Sequence, residues 1–419
     1  MIVFNDTLGV YGGAQTLMLR MCTWLRSNNI SAAIITDSTA NTEIVDRLRK
    51  IDVIIENVVR NEIQSYVKVL SKLRAYEELK VISFVCDFYL EVEMAKKVGK
   101  LDFDNLMYCI HPEAFNRGNS KSSIKSLLKK PIFNAYRNLF IKMNDNNALY
   151  IMDEVDTVES EKYLNVSLNT KPEIIRLPMI CKERSDFEAI IDEGYKGQVI
   201  LTASRAEYPY KGYIFGLLDS FVELKKQYPE LKMIIVSGGG DLEQLNKKIN
   251  SLGDEIRSSL IIHKWMKYDS LLELALKCKL FIGMGTSVLD MALCYKPAIA
   301  VKFNTYECIG DSFISDKPNY ITTDDECSVR AEILIKKTLE MSKDEYRKES
   351  IKSFEAVKRV YDVDNCMNAF MNAKTKQQCS LLSAKDYYFF SLYKMYVNQK
   401  NKKLKGKYDY NDLQTYPRP

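Results

Sequence analysis

The chain has 419 residues, 46% of them hydrophobic and 27% charged, an ordinary globular composition with enough length for two or three domains with their own cores. Sixty basic against 55 acidic side chains leave a formal charge of +5, too small a surplus to point to nucleic acid, so any basic binding surface must be local. The ten cysteines include no CxxC pair and sit mostly in apolar runs, and with only two histidines in the chain they read as buried thiols of a reducing compartment, not as a disulfide framework or a zinc site.

In chain order, short apolar strand patterns at 1–4, 32–36, 52–55, 80–86, 105–110, 148–152 and 173–177 alternate with helical stretches. The polar, interrupted residues 178–196 read as a linker. Strand patterns resume at 198–203, 232–236, 260–262, 280–283 and 298–301, again with helices between them. This alternation predicts an α/β protein with two doubly wound, Rossmann-like domains that face a central cleft at the carboxyl ends of their strands. The expected boundaries are 1–177 for the first domain, 178–196 for the linker, 197–350 for the second domain, 351–375 for a helical segment and 376–419 for an aromatic and basic extension. Met1 opens directly on a strand pattern, so no signal peptide is expected, and no apolar run approaches the roughly 20 residues of a membrane span.

Two segments of the second half carry the chemistry. The run 198–203 empties into Ser204-Arg205-Ala-Glu-Tyr-Pro-Tyr210-Lys211-Gly212 ahead of a helix, which presents two cations at the carboxyl edge of a strand. Leu280-Phe-Ile-Gly283 runs into Met284-Gly285-Thr286-Ser287-Val288-Leu-Asp290, a small-residue turn opening a second helix. The first amides of that helix and its dipole form an anion site. Arg205 forks onto two oxygens, Lys211 acts as a point charge and the amides of 285–288 supply neutral donors, a set suited to negative charge growing on a departing diphosphate without a metal or cofactor. Asp290, one turn inside, is placed for the ribose hydroxyls. Each has a plainer reading: exposed charges at a helix start, a solvent-facing acid.

The order Arg-(five residues)-Lys-Gly, a strand ending in Gly238-Gly239-Gly240, then Gly-x-Gly-Thr-Ser-x-x-Asp-x-Ala-x-x-x-Lys-Pro resembles the carboxyl-terminal domain of glycosyltransferase family 4, the retaining enzymes of the GT-B fold. Gly12-Gly13-Ala14-Gln15, opening the first helix, is similar to that family's Gly-Gly-Ala-Glu. The resemblance covers roughly residues 1–375 and is strongest over 203–301. It implies a retaining, metal-independent transfer of a sugar from a UDP- or GDP-linked donor to an acceptor hydroxyl, in which the leaving phosphate helps to deprotonate the acceptor. It also implies that the last helix, here 353–371, returns to the first domain. By the same resemblance His111, after Leu106-Met-Tyr-Cys-Ile, borders the donor sugar, with a satisfied core imidazole as the alternative. Trp265 lies where relatives hold the base, and either stacks on it or packs locally. Gly12 and Gly13 permit a tight turn or a close approach to the donor, and Gly238 and Gly239 likewise approach the ligand or just turn the chain. One departure stands out: the family carries two acids eight positions apart here, and while Asp290 supplies the second, the first falls on Ile282. Met284 replaces the phenylalanine usual between the two glycines.

Two charge features remain. Residues 114–144 contain no carboxylate, and Arg117, Lys121, Lys125, Lys129, Lys130, Arg137 and Lys142 interleave with Leu127, Leu128, Ile132, Phe133, Tyr136, Leu139 and Phe140. This is either a solvated helix face over core or a surface for an anionic membrane and a lipid-linked oligosaccharide acceptor. The tail after Ser383, rich in tyrosine, phenylalanine and then lysine, either lies on such a membrane surface as well or ends in disorder. The pairs Asp102/Asp104 and Asp362/Asp364 mimic metal-binding acids but end no strand beside a nucleotide pocket, and they read as solvated acids. The expectation is a cytoplasmic protein, or one peripheral on the inner face of the cell membrane, and the family resemblance implies that it builds bacterial surface polysaccharide such as O-antigen or capsule. A catalytically silent nucleotide-sugar-binding scaffold and a nucleotide-sugar 2-epimerase are the alternatives, the latter disfavoured by the shortage of histidines.

Overall fold

The computed structural model describes residues 1–9, 13–111, 115, 126–239, 241–264, 266–323 and 327–405, the side chains of 126–130 and 396–405 excepted. The chain divides into two compact units, Met1–Pro178 with Val363–Pro419, and Met179–Asp362.

The first unit runs β1 (Ile2–Asn5), α1 (Gly13–Ser27), β2 (Ala32–Thr36), α2 (Thr42–Arg49), β3 (Ile54–Asn57), α3 (Ile63–Arg74), β4 (Lys80–Ser83), α4 (Cys86–Gly99), β5 (Asp104–Cys109), α5 (Ser126–Asp145), β6 (Leu149–Ile151), α6 (Glu154–Leu164) and β7 (Glu173–Ile174). Its seven strands form one parallel sheet in the order β3-β2-β1-β4-β5-β6-β7. β1, β2, β4, β5 and β6 are buried along their whole length, as strands covered by helices on both faces must be.

The second unit begins with α7 (Phe187–Lys196) and continues β8 (Val199–Arg205), α8 (Tyr213–Gln227), β9 (Lys232–Gly238), α9 (Leu242–Asn250), α10 (Asp254–Ser258), β10 (Leu260–His263), α11 (Tyr268–Leu276), β11 (Leu280–Gly283), α12 (Thr286–Leu293), β12 (Ala298–Ala300), α13 (Glu332–Glu340) and α14 (Lys343–Tyr361). Its parallel sheet has the order β10-β9-β8-β11-β12. The first unit resumes with α15 (Val363–Asn372) and α16 (Ala384–Lys405).

Several boundaries differ from the sequence reading. The strand expected at 52–55 starts at Ile54, because Asp52 adopts φ 56° in the turn after α2. The strand expected at 80–86 stops at Ser83, and Cys86 already opens α4. The linker 178–196 contains α7, whose Phe187, Ile190, Ile191, Gly194 and Tyr195 recur at helical spacing and bury against Tyr295, Tyr346 and Phe354. The helix placed at 353–371 is two helices: α14 starts earlier, at a capping box in which Ser342 and Glu345 satisfy each other's amides, and it breaks at Asp362, whose ψ of 131° is not helical.

Over Ala384–Lys405 the extension is a helix. α16 lies on α5, with Phe390 edge-on to Tyr136 at 5.3 Å and Lys142 paired to Asp386 at 2.6 Å. The described apolar side chains of α5 are therefore core: Tyr136, Leu139, Phe140 and Met143 are buried, and Ile132, Phe133 and Ile141 pack on them.

Candidate functional site

β8 and β11 are neighbours in the second sheet, with Leu280 opposite Ile200 and Phe281 opposite Leu201. The loop 205–212 and the turn 284–288 therefore leave the sheet side by side, although they are far apart in sequence. They also bracket the point where strand order reverses, since β9 and β10 extend beyond β8 and β12 lies beyond β11. In open α/β sheets the crevice at such a switch point, outside the carboxyl ends of the strands, is where ligands bind.

The 205–212 loop is held by its own backbone. Ala206 donates its N–H to the Gly238 carbonyl at 2.6 Å, Lys211 to that of Glu207 at 2.7 Å, and Gly212 to that of Pro209 at 2.9 Å. The amide of Tyr208 donates to Asp241 Oδ2 at 3.1 Å, and its ring sits edge-on to Phe215 at 4.8 Å. Glu207 lies between the two cations, 3.1 Å from Arg205 Nη1 and 3.8 Å from Lys211 Nζ. Arg205 is more than half exposed, whereas Lys211 is largely covered. Burial pushes the Lys211 ammonium down to about 8; neighbouring Arg205 acts in the same direction and Glu207 opposes it. The sequence reading omitted Glu207, although an acid between two cations in one turn is visible there.

The 284–288 turn supplies fewer donors than the sequence implies. Gly285 has φ 73° and ψ −152°, a conformation open to glycine, and a Cβ there would meet no atom within 4 Å. Its N–H, however, donates to the Ile321 carbonyl at 2.8 Å, and Val288 donates to the Gly285 carbonyl at 3.1 Å. Thr286 and Ser287 remain as the first two amides of α12, ahead of any i→i−4 partner. The Ser287 hydroxyl donates to the Met284 carbonyl at 3.0 Å.

Asp290 is buried on α12, and its Oδ1 accepts the Tyr268 hydroxyl at 2.6 Å. Tyr268 opens α11, and no local sequence signal links it to Asp290. Gly238, opposite Arg205 in the ladder, has no room for a side chain: a Cβ would lie 2.7 Å from the Lys264 carbonyl. Gly239 sits at φ 121°, a backbone conformation that side chains rarely adopt, and a Cβ there would lie 3.3 Å from Ala206. Close packing at Gly238 and backbone conformation at Gly239 thus account for both glycines without a ligand. Ile282, where the resembled family has an acid, is fully buried in β11 opposite Ile299.

Lys296, of the Lys-Pro that follows α12, is also fully buried, and its Nζ donates to the carbonyls of Ile190 at 3.0 Å and Leu276 at 2.8 Å. A Cβ on Gly194 would come within 2.5 Å of that nitrogen, so glycine makes the bond possible. Burial pushes this ammonium down to about 8. α12 is further fixed from behind by Tyr295 stacked on Phe354 of α14, with ring centroids 4.3 Å apart.

The remaining candidates belong to the first unit or lie outside the described residues. His111 follows β5, is partly exposed, and its carbonyl accepts the Cys109 thiol at 3.3 Å. Gly13 is exposed at the start of α1, and Gln15 on the same turn donates to Asp6 Oδ1 at 3.2 Å. Gly12 and Trp265 lie outside the described residues. Of the four acids read as solvated, Asp104 is not, and Asp364 is exposed. Asp104 is buried and accepts the Thr375 amide at 3.1 Å and hydroxyl at 2.7 Å, and Asp364 accepts the Trp24 indole N–H at 2.5 Å. No cluster of metal-ligating side chains occurs among the described residues.

No protein-family model matches the chain, and no curated protein matches it by sequence. Solved structures match it by shape. HepE from Anabaena, in complex with UDP and glucose, is 14% identical with a TM-score of 0.61 over 88% of this chain and 98% of that one. A glycosyltransferase from Rickettsia africae is 13% identical with a TM-score of 0.62 over 88% and 96%. TarM from S. aureus, in complex with UDP, α-GlcNAc-glycerol and fondaparinux, is 14% identical with a TM-score of 0.56 over 89% and 99%. At this identity the likeness concerns the fold: the chain has the two-domain α/β, Rossmann-like architecture of these GT-B glycosyltransferases.

Proposed function

We propose that the protein is a glycosyltransferase that moves a sugar from a nucleotide-diphosphate donor, UDP- or GDP-linked, to an acceptor hydroxyl. The observation that carries this reading is the adjacency of β8 and β11, which brings the Arg205–Lys211 loop beside the amino terminus of α12 at the sheet's switch point. Arg205 and Lys211 stabilise the departing diphosphate, the Thr286 and Ser287 amides assist, and Asp290 holds the ribose. Gly238 and Gly239 let the neighbouring turn approach the nucleotide, Trp265 borders the base, and Gly12, Gly13 and His111 border the sugar. In this reading transfer retains anomeric configuration and needs no metal or cofactor, since the charge on the leaving group is met by these cations and amides. The acceptor is a lipid-linked oligosaccharide of bacterial surface polysaccharide, met at the inner face of the membrane, and nucleic acid is not a partner.

The test is a thermal-shift panel of UDP, GDP, ADP and CMP, followed by detection of released nucleoside diphosphate from the matching donors. Stabilisation by one diphosphate that Arg205→Ala abolishes supports the reading, and an unchanged shift removes Arg205 from it. A second reading, a silent nucleotide-sugar-binding scaffold, draws on Ile282, whose burial in the sheet puts core where the resembled family has an acid. Binding without turnover, across donors and acceptors, selects that reading.

A further inference from the structure

We infer that α16 lies on the surface of an anionic phospholipid bilayer, with the stripe Lys385, Tyr388, Leu392 and Met395 facing the headgroups. These residues recur at the spacing of one helical face, and Phe389 stands beside them. Tyr388 is 63% exposed, Met395 59%, Leu392 46% and Phe389 37%, a concentration of large exposed apolar side chains that no other eight-residue stretch of the described residues approaches. The opposite face is committed to the first unit: Phe390 is buried against Tyr136, and buried Lys394 pairs with Glu91 at 2.9 Å. The outward stripe is thus held in a fixed orientation.

Charge identifies what covers it. The one acid of α16, Asp386, is already engaged by Lys142 at 2.6 Å and by the Ser383 hydroxyl at 2.7 Å. Every other ionisable side chain of the helix apart from its tyrosines is a lysine; Lys385 is exposed, and the sequence of the final stretch 400–405 holds four more. An apolar stripe in a lysine-rich helix matches an anionic bilayer, where each cation adds to the attraction and the apolar chains enter the headgroup boundary. A protein partner of ordinary composition offers no such uniform negative field. No helix among the described residues is long and apolar enough to cross a membrane, so the contact is one of lying on the surface. The described apolar side chains of α5 are core, and the part of 117–142 before α5 lies outside the described residues.

This inference deepens the membrane-acceptor part of the proposed function, but its test reads binding and not transfer, so each can fail without the other. The full chain is floated with phosphatidylcholine vesicles with and without phosphatidylglycerol. Binding is expected only to the anionic vesicles, weakening as salt rises. The variant Leu392→Asp/Met395→Asp is expected to bind about tenfold more weakly or less, because two apolar anchors are lost and two repulsive charges gained. Tyr76→Asp, at an exposed tyrosine of α3's far end in the same unit, leaves binding unchanged. Both variants keep the wild-type melting temperature, since the altered positions are exposed. Three results overturn the inference: equal binding to both vesicle types, full binding by the double variant, or a dimer in sedimentation that the double variant dissolves.

Discussion

Tyr268 donates its hydroxyl to Asp290 Oδ1 at 2.6 Å and so fixes the carboxylate that the proposed function assigns to ribose. The bond ties the start of α11 to the second turn of α12, and Asp290 thereby keeps one rotamer when no nucleotide is bound. Hydrogen bonds to a charged acceptor contribute about 1.5–3 kcal/mol. Asp290→Ala should weaken UDP or GDP binding on the order of tenfold or more by calorimetry. Tyr268→Phe should weaken it by a smaller, two- to tenfold margin, roughly, because the carboxylate stays but is less fixed. Equal affinity in Asp290→Ala and wild type would leave ribose recognition to other groups.

Lys211 gives the site a pH signature. Its pKa is pushed down to about 8, so the free protein loses this cation as pH rises through about 8. Affinity for a nucleoside diphosphate should fall over the same range, while Lys211→Arg, which stays charged, flattens the profile. Glu207→Gln removes the one group that raises this pKa and should move the midpoint to lower pH. Arg205→Ala should slow transfer by on the order of 10²–10³, the usual consequence of losing one donor to a developing anion. A profile identical in Lys211→Arg and wild type argues against the assignment.

Stability should carry a related signature. Lys296 and Lys211 both have folded pKa values near 8, below the 10.5 of an ordinary lysine. Between about pH 8 and 10 the unfolded chain therefore binds more protons than the native one, and native stability rises with pH across that window. It is lost again as pH falls through 8. Buried tyrosines such as Tyr346 and Tyr213, whose pKa values are raised by burial, reverse the trend above pH 10. Denaturant melts should show the rise, of order 1–3 kcal/mol, and Lys296→Met should reduce it. Lys296→Met should also destabilise at every pH, because the carbonyls of Ile190 and Leu276 lose their donor.

The two sheets were legible because nearly every strand is an apolar run, and runs such as 32–36 and 280–283 match the observed strands residue for residue. The cation loop and the turn before α12 were legible for the same reason: each follows a readable strand. What the sequence withheld is long-range. Strand order, and with it the adjacency of β8 and β11, is set by packing between distant segments and leaves no local trace. Tyr268 meets Asp290 only through that packing. The engagement of the Gly285 amide by Ile321 was equally hidden, since a carbonyl partner is not a side-chain property. α7 was missed for another reason: its acids obscure the stripe Phe187, Ile190, Ile191, Gly194 and Tyr195, which a strict helical count reveals.

Ile282 separates core from chemistry at the position where the resembled family has an acid. Its side chain is fully buried in β11, whose neighbours β8 and β12 are parallel and whose register sets it opposite Ile299. A group so placed contributes by filling volume. Ile282→Val should cost about 0.5–1.5 kcal/mol and Ile282→Ala about 2–5 kcal/mol, read from urea melts. Both variants, where folded, should bind nucleotide as wild type does, because the Arg205 loop and the α12 amides are unchanged. Ile282→Glu tests the alternative directly, since it would bury a carboxylate with no cation assigned to it and should fail to give a cooperative melt. A folded Ile282→Glu protein with faster transfer would show instead that the strand end opens towards the donor sugar, and that isoleucine there had lowered the rate.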